Sequence, residues 1–200
     1  MYKVYGERNS GTNFITQLLK INFDITLSQN EWKHAIPTSK TDSIDFIIVR
    51  ELPHWLSSMY VSPYHMTRRD NFTSFLTLPQ KMVDGGESML DDNKTIFDIR
   101  YSKYKGMLQH FNTNKNVCIV KLDYIQNDAN CLHFLKSVNS VYKLNKKTPY
   151  ITTIPHTKDK SNCKNRKLKV NASDYLSIIN ANLNSAIEHE IESLTFKIKD

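Results

Sequence analysis

Residues 2–19, YKVYGERNSGTNFITQLL, decide the fold. Tyr2–Tyr5 is a short run of strand-forming residues that ends at Gly6. A polar turn, Glu7-Arg8-Asn9-Ser10-Gly11-Thr12, follows. From Asn13 onward Phe14, Ile15, Leu18 and Leu19 recur at helical spacing. The unit is strand, polar turn, helix. Ile44–Val49 (IDFIIV) is nearly all apolar, as expected of a parallel-sheet strand covered on both faces. Pro53 suits the first turn of a helix carrying Trp55, Leu56, Met59 and Tyr60. Asn116–Leu122 (NVCIVKL) reads as another buried strand, and Phe72–Leu78 and Ile96–Phe111 as helices. Gly85–Ser88 reads as a loop and Lys143–Lys169 as a long basic surface loop. Tyr175–Leu194 reads as an amphipathic terminal helix or helix pair. Strands alternating with helices predict a three-layer α/β/α fold with a mostly parallel central sheet. At 200 residues the expectation is one domain, 1–200.

Bulk properties narrow the partners only slightly. The chain has 27 Lys and Arg against 20 Asp and Glu, a formal net charge of +7. That surplus favours anions, whether nucleic acid, nucleotide or acidic glycan, without choosing among them. Five glycines and six prolines exclude a fibrous or disordered chain. Cys118, Cys131 and Cys163 lack zinc-site spacing and read as reduced thiols, with Cys118 in the core. MYKVYGERNS has no apolar signal core, and no run approaches the ~20 apolar residues of a membrane span. The expectation is therefore a cytoplasmic chain without a membrane span. Glycosylation patterns at Asn71, Asn93 and Asn171 are taken as chance matches.

Four constellations can carry chemistry. A strand–turn–helix junction such as Gly6–Thr12 aims free backbone N–H groups and the positive helix end at one spot, which suits a phosphate. Gly11 permits close approach, and Ser10 and Thr12 add hydroxyls. Ser, Thr and Asn at a helix start also occur as plain caps, so both readings stand. GxxxxGK[ST] would need Lys at Thr12, which excludes a Walker A loop. Arg50 directly follows IDFIIV, at the carboxyl edge where α/β sheets bind ligands. Ser58, two turns into the next helix, is placed to share an anion with it; a surface ion pair is the alternative. Trp32–Pro37 (WKHAIP) offers Lys33 and His34, a histidine being suited to general-base work near neutral pH. Lys158–Lys167 is a basic run, either solvated or anion-binding.

Ser-Gly-Thr opening the first helix, followed by strand–Arg–x7–Ser in VRELPHWLSSMY, resembles the nucleotide site of the sulfotransferase family. The resemblance covers the chain up to Ser58 and implies a P-loop NTPase-like fold that binds 3′-phosphoadenylyl sulfate (PAPS) and releases 3′,5′-adenosine bisphosphate (PAP). It implies that Arg8, Asn9, Ser10, Gly11, Thr12 and Asn13 hold the 5′-phosphosulfate. Arg50 and Ser58 would hold the 3′-phosphate, with Lys158, Lys160 and Lys164 closing over the nucleotide. His34 would be the base, and no metal would be needed. The family usually has Lys or Arg directly before Ser-Gly-Thr; here Asn9 stands there, so Arg8 or Lys33 must supply that charge. The expected reaction is sulfuryl transfer to a hydroxyl or amine, a carbohydrate first, against a wall of Tyr60–His65 with Arg68 and Arg69. Two rivals remain. One is a small-molecule kinase, for which Asp123 is the nearest magnesium candidate. The other is a non-catalytic PAPS or nucleotide binder. No nucleic-acid module is visible.

Overall fold

A computed structural model describes residues 1–28, 31–38, 42–83, 86–147, 149–154, 170 and 172–199. Its sheet has four strands in the order β1 (Tyr2–Gly6), β2 (Ile44–Val49), β3 (Val117–Lys121) and β4 (Phe196–Lys199). The first three are mutually parallel and β4 runs antiparallel to β3. On the far side of β1, Tyr2 bridges Leu27 in parallel sense. The helices are α1 (Thr12–Asn22), α2 (Leu52–Val61), α3 (Phe72–Thr77), α4 (Ile96–Thr113), α5 (Leu122–Ile125), α6 (Asp128–Tyr142), α7 (Leu176–Asn182) and α8 (Ser185–Ser193).

The period of two along each strand sorts its side chains between two cores. Val4, Phe46, Ile48, Cys118 and Val120 pack with Phe14, Ile15 and Leu18 of α1 and with Phe134, Leu135 and Val138 of α6. Tyr5, Ile47, Val49, Val117 and Ile119 face the other way, onto Tyr104 and Met107 of α4, Ile191 of α8 and Leu194 just past its end. IDFIIV is apolar apart from Asp45 because both of its faces are covered. A third cluster joins α2, α3, α4 and α7 through Trp55, Leu56, Phe72, Phe75, Ile96 and Ile179.

Three elements depart from expectation. Helix α6 lies in a stretch to which no element was assigned. Its apolar Cys131, Phe134, Leu135 and Val138 do recur at helical spacing, and Asn127 caps it through the Asn130 N–H. The surrounding Asn, Ser and Lys residues mask that stripe. Strand β4 (FKIK) is too short for its alternation to stand out, and its pairing with β3 is what makes it a strand. The expected loop Gly85–Ser88 overlaps a 3-10 helix over Gly86–Asp91. Asn71, first of the glycosylation patterns, accepts from the Ser74 N–H and caps α3. Among the described residues, no helix is long and apolar enough to cross a membrane.

Candidate functional site

The parallel register sets the carboxyl ends of β1, β2 and β3 side by side, and Glu7–Gly11, Arg50 and Asp123 all emerge there. Gly6 admits no side chain: a Cβ there would collide with Ser10 Oγ and lie 2.7 Å from the Ile48 carbonyl oxygen. Asn9 (φ 61) and Gly11 (φ 102) are both left-handed, whereas Ser10 between them is not. Such alternation turns successive N–H groups toward one concave side, as in an anion-binding nest, although the Ser10 N–H itself donates to the Glu7 carbonyl at 3.1 Å. The Ser10 hydroxyl donates to the Glu7 carbonyl at 2.7 Å instead of capping α1. No side chain caps that helix, whose first bond is from Ile15 N to Gly11 O at 3.1 Å. Its first-turn N–H groups are thus left to an external acceptor.

Arg50 reaches back to this loop. Its NH1 donates to Ser58 Oγ at 2.7 Å and to the Asn9 carbonyl at 2.9 Å. Its Nε is buried with no protein partner. Asn9 Nδ2 donates to the Ser62 carbonyl at 2.8 Å, which ties the loop to the end of α2. The residues predicted to grip the two ends of one nucleotide therefore meet at a single edge.

Arg8 turns the other way. Its guanidinium is buried, donates to Asp91 at 3.3 Å and lies over the Trp32 ring at 5.0 Å. Its Nε and NH2 have no protein partner. Its carbonyl accepts from Trp55 Nε1 at 2.9 Å. Lys33 occupies the opening of α1, where Nζ donates to Asn13 Oδ1 at 2.6 Å. Burial lowers the Lys33 pKa.

His34 Nδ1 lies 2.8 Å from the Gly6 carbonyl. A carbonyl only accepts, so Nδ1 carries the proton and Nε2 the lone pair. Burial is the main force taking the ring's pKa down to about 3, with Lys33, Arg8 and His65 adding to it and the Gly6 bond opposing. The ring stays neutral at physiological pH and is a weaker base than the near-neutral histidine expected from the sequence. Trp32 meets it edge-on at 5.3 Å and meets His65 at 6.3 Å.

Beneath the loop is a buried charge network that the sequence did not reveal. Arg100 donates to both carboxylate oxygens of Glu188 at 2.5 and 2.8 Å, to Glu7 at 3.3 Å and to the Arg50 carbonyl at 2.9 Å. Glu7 Oε1 has no partner, and burial pushes the Glu7 pKa up to about 7 against the pull of Arg100. Arg100 looked like any polar residue of an amphipathic helix, and only α8 folding back supplies Glu188. His54 and Asp123 form a further pair, with His54 Nδ1 2.6 Å from Asp123 Oδ1. Asp123 follows the NVCIVKL run as Arg50 follows IDFIIV, a signal of the same kind.

Glu51, His54 and Asp123 place one ligand atom each within 4.8 Å of the others. This set does not fit a cation. The ring nitrogen facing the carboxylate is the protonated one, both Asp123 oxygens already accept hydrogen bonds, and Lys121 Nζ stands 3.1 Å from Glu51 Oε1. Of the expected acceptor wall, Tyr60 instead packs on Phe72 and Phe75, while His65 faces Trp32. Lys158, Lys160 and Lys164 lie outside the described residues, as does Cys163. Comparison with protein-family models, with curated proteins and with solved structures finds no match to this chain.

Proposed function

We propose that this chain is a PAPS-dependent sulfotransferase of P-loop-like fold that moves a sulfuryl group from PAPS to a hydroxyl or amine, a carbohydrate first. The observation that carries this is the closure of Arg50 NH1 onto both Ser58 Oγ and the Asn9 carbonyl. It sets the cation for a 3′-phosphate beside the nest for a 5′-phosphate. The uncapped start of α1 and the orphaned Arg50 Nε suit an anion on both sides of that contact. The buried free thiol of Cys118 suits a reducing cytoplasm.

In this scheme His34 Nε2 takes the acceptor proton as the acceptor oxygen or nitrogen bonds to sulfur. The bond from sulfur to the bridging oxygen breaks, and PAP leaves with that oxygen. The α1 amides and Lys33 meet the charge that grows on the leaving phosphate. Lys33 suits the cation role better than Arg8, because Arg8 is committed to Asp91 and Trp32.

A binding-only reading has one observation in its favour: Asn9 spends its side chain on α2, so the loop itself brings no cation. Thermal shift with PAP, Mg-ATP and DNA, followed by PAPS turnover, separates the readings. A ligand at about 100 times its Kd stabilises by ~2.7 kcal/mol. A shift with PAP alone and release of PAP from PAPS support the transferase, and a shift without turnover leaves the binder. A shift with Mg-ATP and none with PAP overturns both in favour of a kinase.

A further inference from the structure

We propose that His54, held by Asp123, is a third ligand of the anion at Arg50 and Ser58, donating from Nε2 to the nucleotide's 3′-phosphate. The inference rests on the nucleotide reading above. His54 and Ser58 are four residues apart in α2 and share one helix face. Ser58 on that face already accepts from Arg50. Asp123 is fixed in turn, because its Oδ2 accepts from the Glu51 N–H at 2.9 Å. Although burial opposes it, bonds from His54 and Glu51 and the Arg50 charge hold its carboxyl below the ordinary range, so it is ionised. His54 Nδ1–H therefore points at Asp123, and Nε2 points away from it. The side chain is 41% exposed, and Nε2 has no hydrogen-bond partner among the described residues.

With Nδ1 donating to Asp123, Nε2 donates only when the ring is an imidazolium. The charged groups facing the ring are Asp123 of α5, Glu51 with Oε2 3.8 Å away, and Arg50 at the end of β2. Lys121 at the end of β3 acts through Glu51, to which it pairs at 3.1 Å. The Asp123 hydrogen bond dominates and raises the His54 pKa. Burial and Arg50 oppose it, and the Asp123 and Glu51 charges reinforce it. A phosphate held on Arg50 adds negative charge at the ring, so binding takes up a proton.

The test is calorimetric titration of PAP into the whole chain and into His54→Gln, from about pH 5.5 to about pH 8.5, with 5′-AMP as the ligand lacking a 3′-phosphate. The ratio of variant to wild-type Kd should be roughly ten- to a hundredfold at the acid end and fall toward one as pH rises. The phosphate's own ionisation near ~6 is common to both proteins and cancels in the ratio. No such ratio is expected with 5′-AMP. Ring NMR should place the His54 pKa higher with PAP bound than without. A ratio that is flat with pH, or equal for PAP and 5′-AMP, overturns the His54 role and leaves the nucleotide site standing. PAP that binds at no pH overturns both.

Discussion

Replacing Arg50 by alanine removes a guanidinium that donates to Ser58 Oγ at 2.7 Å and to the Asn9 carbonyl at 2.9 Å. The backbone here is held independently: the Arg50 N–H donates to the Tyr104 hydroxyl at 3.2 Å, and its carbonyl accepts from Arg100 at 2.9 Å. The strand end should therefore stay in place, while the loop loses one tie. A hydrogen bond from a charged donor is worth about 1.5–3 kcal/mol, which is roughly a 10- to 150-fold rise in the Kd for PAP. 5′-AMP, with no 3′-phosphate, should be nearly unaffected. Calorimetry with both nucleotides at one salt concentration reads the difference, since salt screens such contacts. Equal PAP affinity in the two proteins would refute the 3′-phosphate assignment. Equal weakening of both nucleotides would show instead that Arg50 acts only by shaping the loop.

Four more outcomes are expected, from three variants. His34→Asn should slow sulfuryl transfer by ~10²–10⁴ without changing PAP affinity, and unchanged turnover removes the base assignment. The same variant tests a sign: the folded ring titrates near 3 against an ordinary 6.5, so its contribution to stability is lost as pH falls through that window. His34→Asn should be less acid-sensitive there by thermal melting. Arg100→Met strands Glu7 and Glu188 as buried carboxylates and should cost about 3–5 kcal/mol in urea unfolding; a wild-type midpoint would mean that the network is energetically idle. Glu7 is raised from 4.5 to about 7, so its contribution is full below the lower value and lost as pH rises through the upper one. Glu7→Gln, neutral at every pH, should flatten the fall in Tm across that range, and an unchanged slope contradicts the raised pKa.

Much of the sheet was legible because its signals are local. IDFIIV and the VCIVK core of NVCIVKL are apolar on both faces apart from Asp45 and Lys121, and a run of that kind has few other places to go. The turn at Gly6–Thr12 was legible for the same reason, since Gly and Asn are the residues that accept positive φ. Helix α6 escaped because its Asn, Ser and Lys residues mask a short apolar stripe, and strand β4 because only its pairing with β3 makes it a strand. Arg100 and Asp91 escaped for a related reason. Nothing in their neighbours' identities says that they will be buried against charges 83 to 93 residues away.

The sequence by itself determined which residues lie at the carboxyl edge of the sheet, because strand ends and helix starts follow from periodicity and turn chemistry. Only the tertiary structure decided how they are used: Arg8 turned inward to Asp91, Lys33 set against α1, and Arg50 closed onto Asn9 and Ser58. Hydrogen bonds and ion pairs depend on separations of a few ångströms, and across dozens of residues only the packing of α2, α4 and α8 on the sheet fixes such distances.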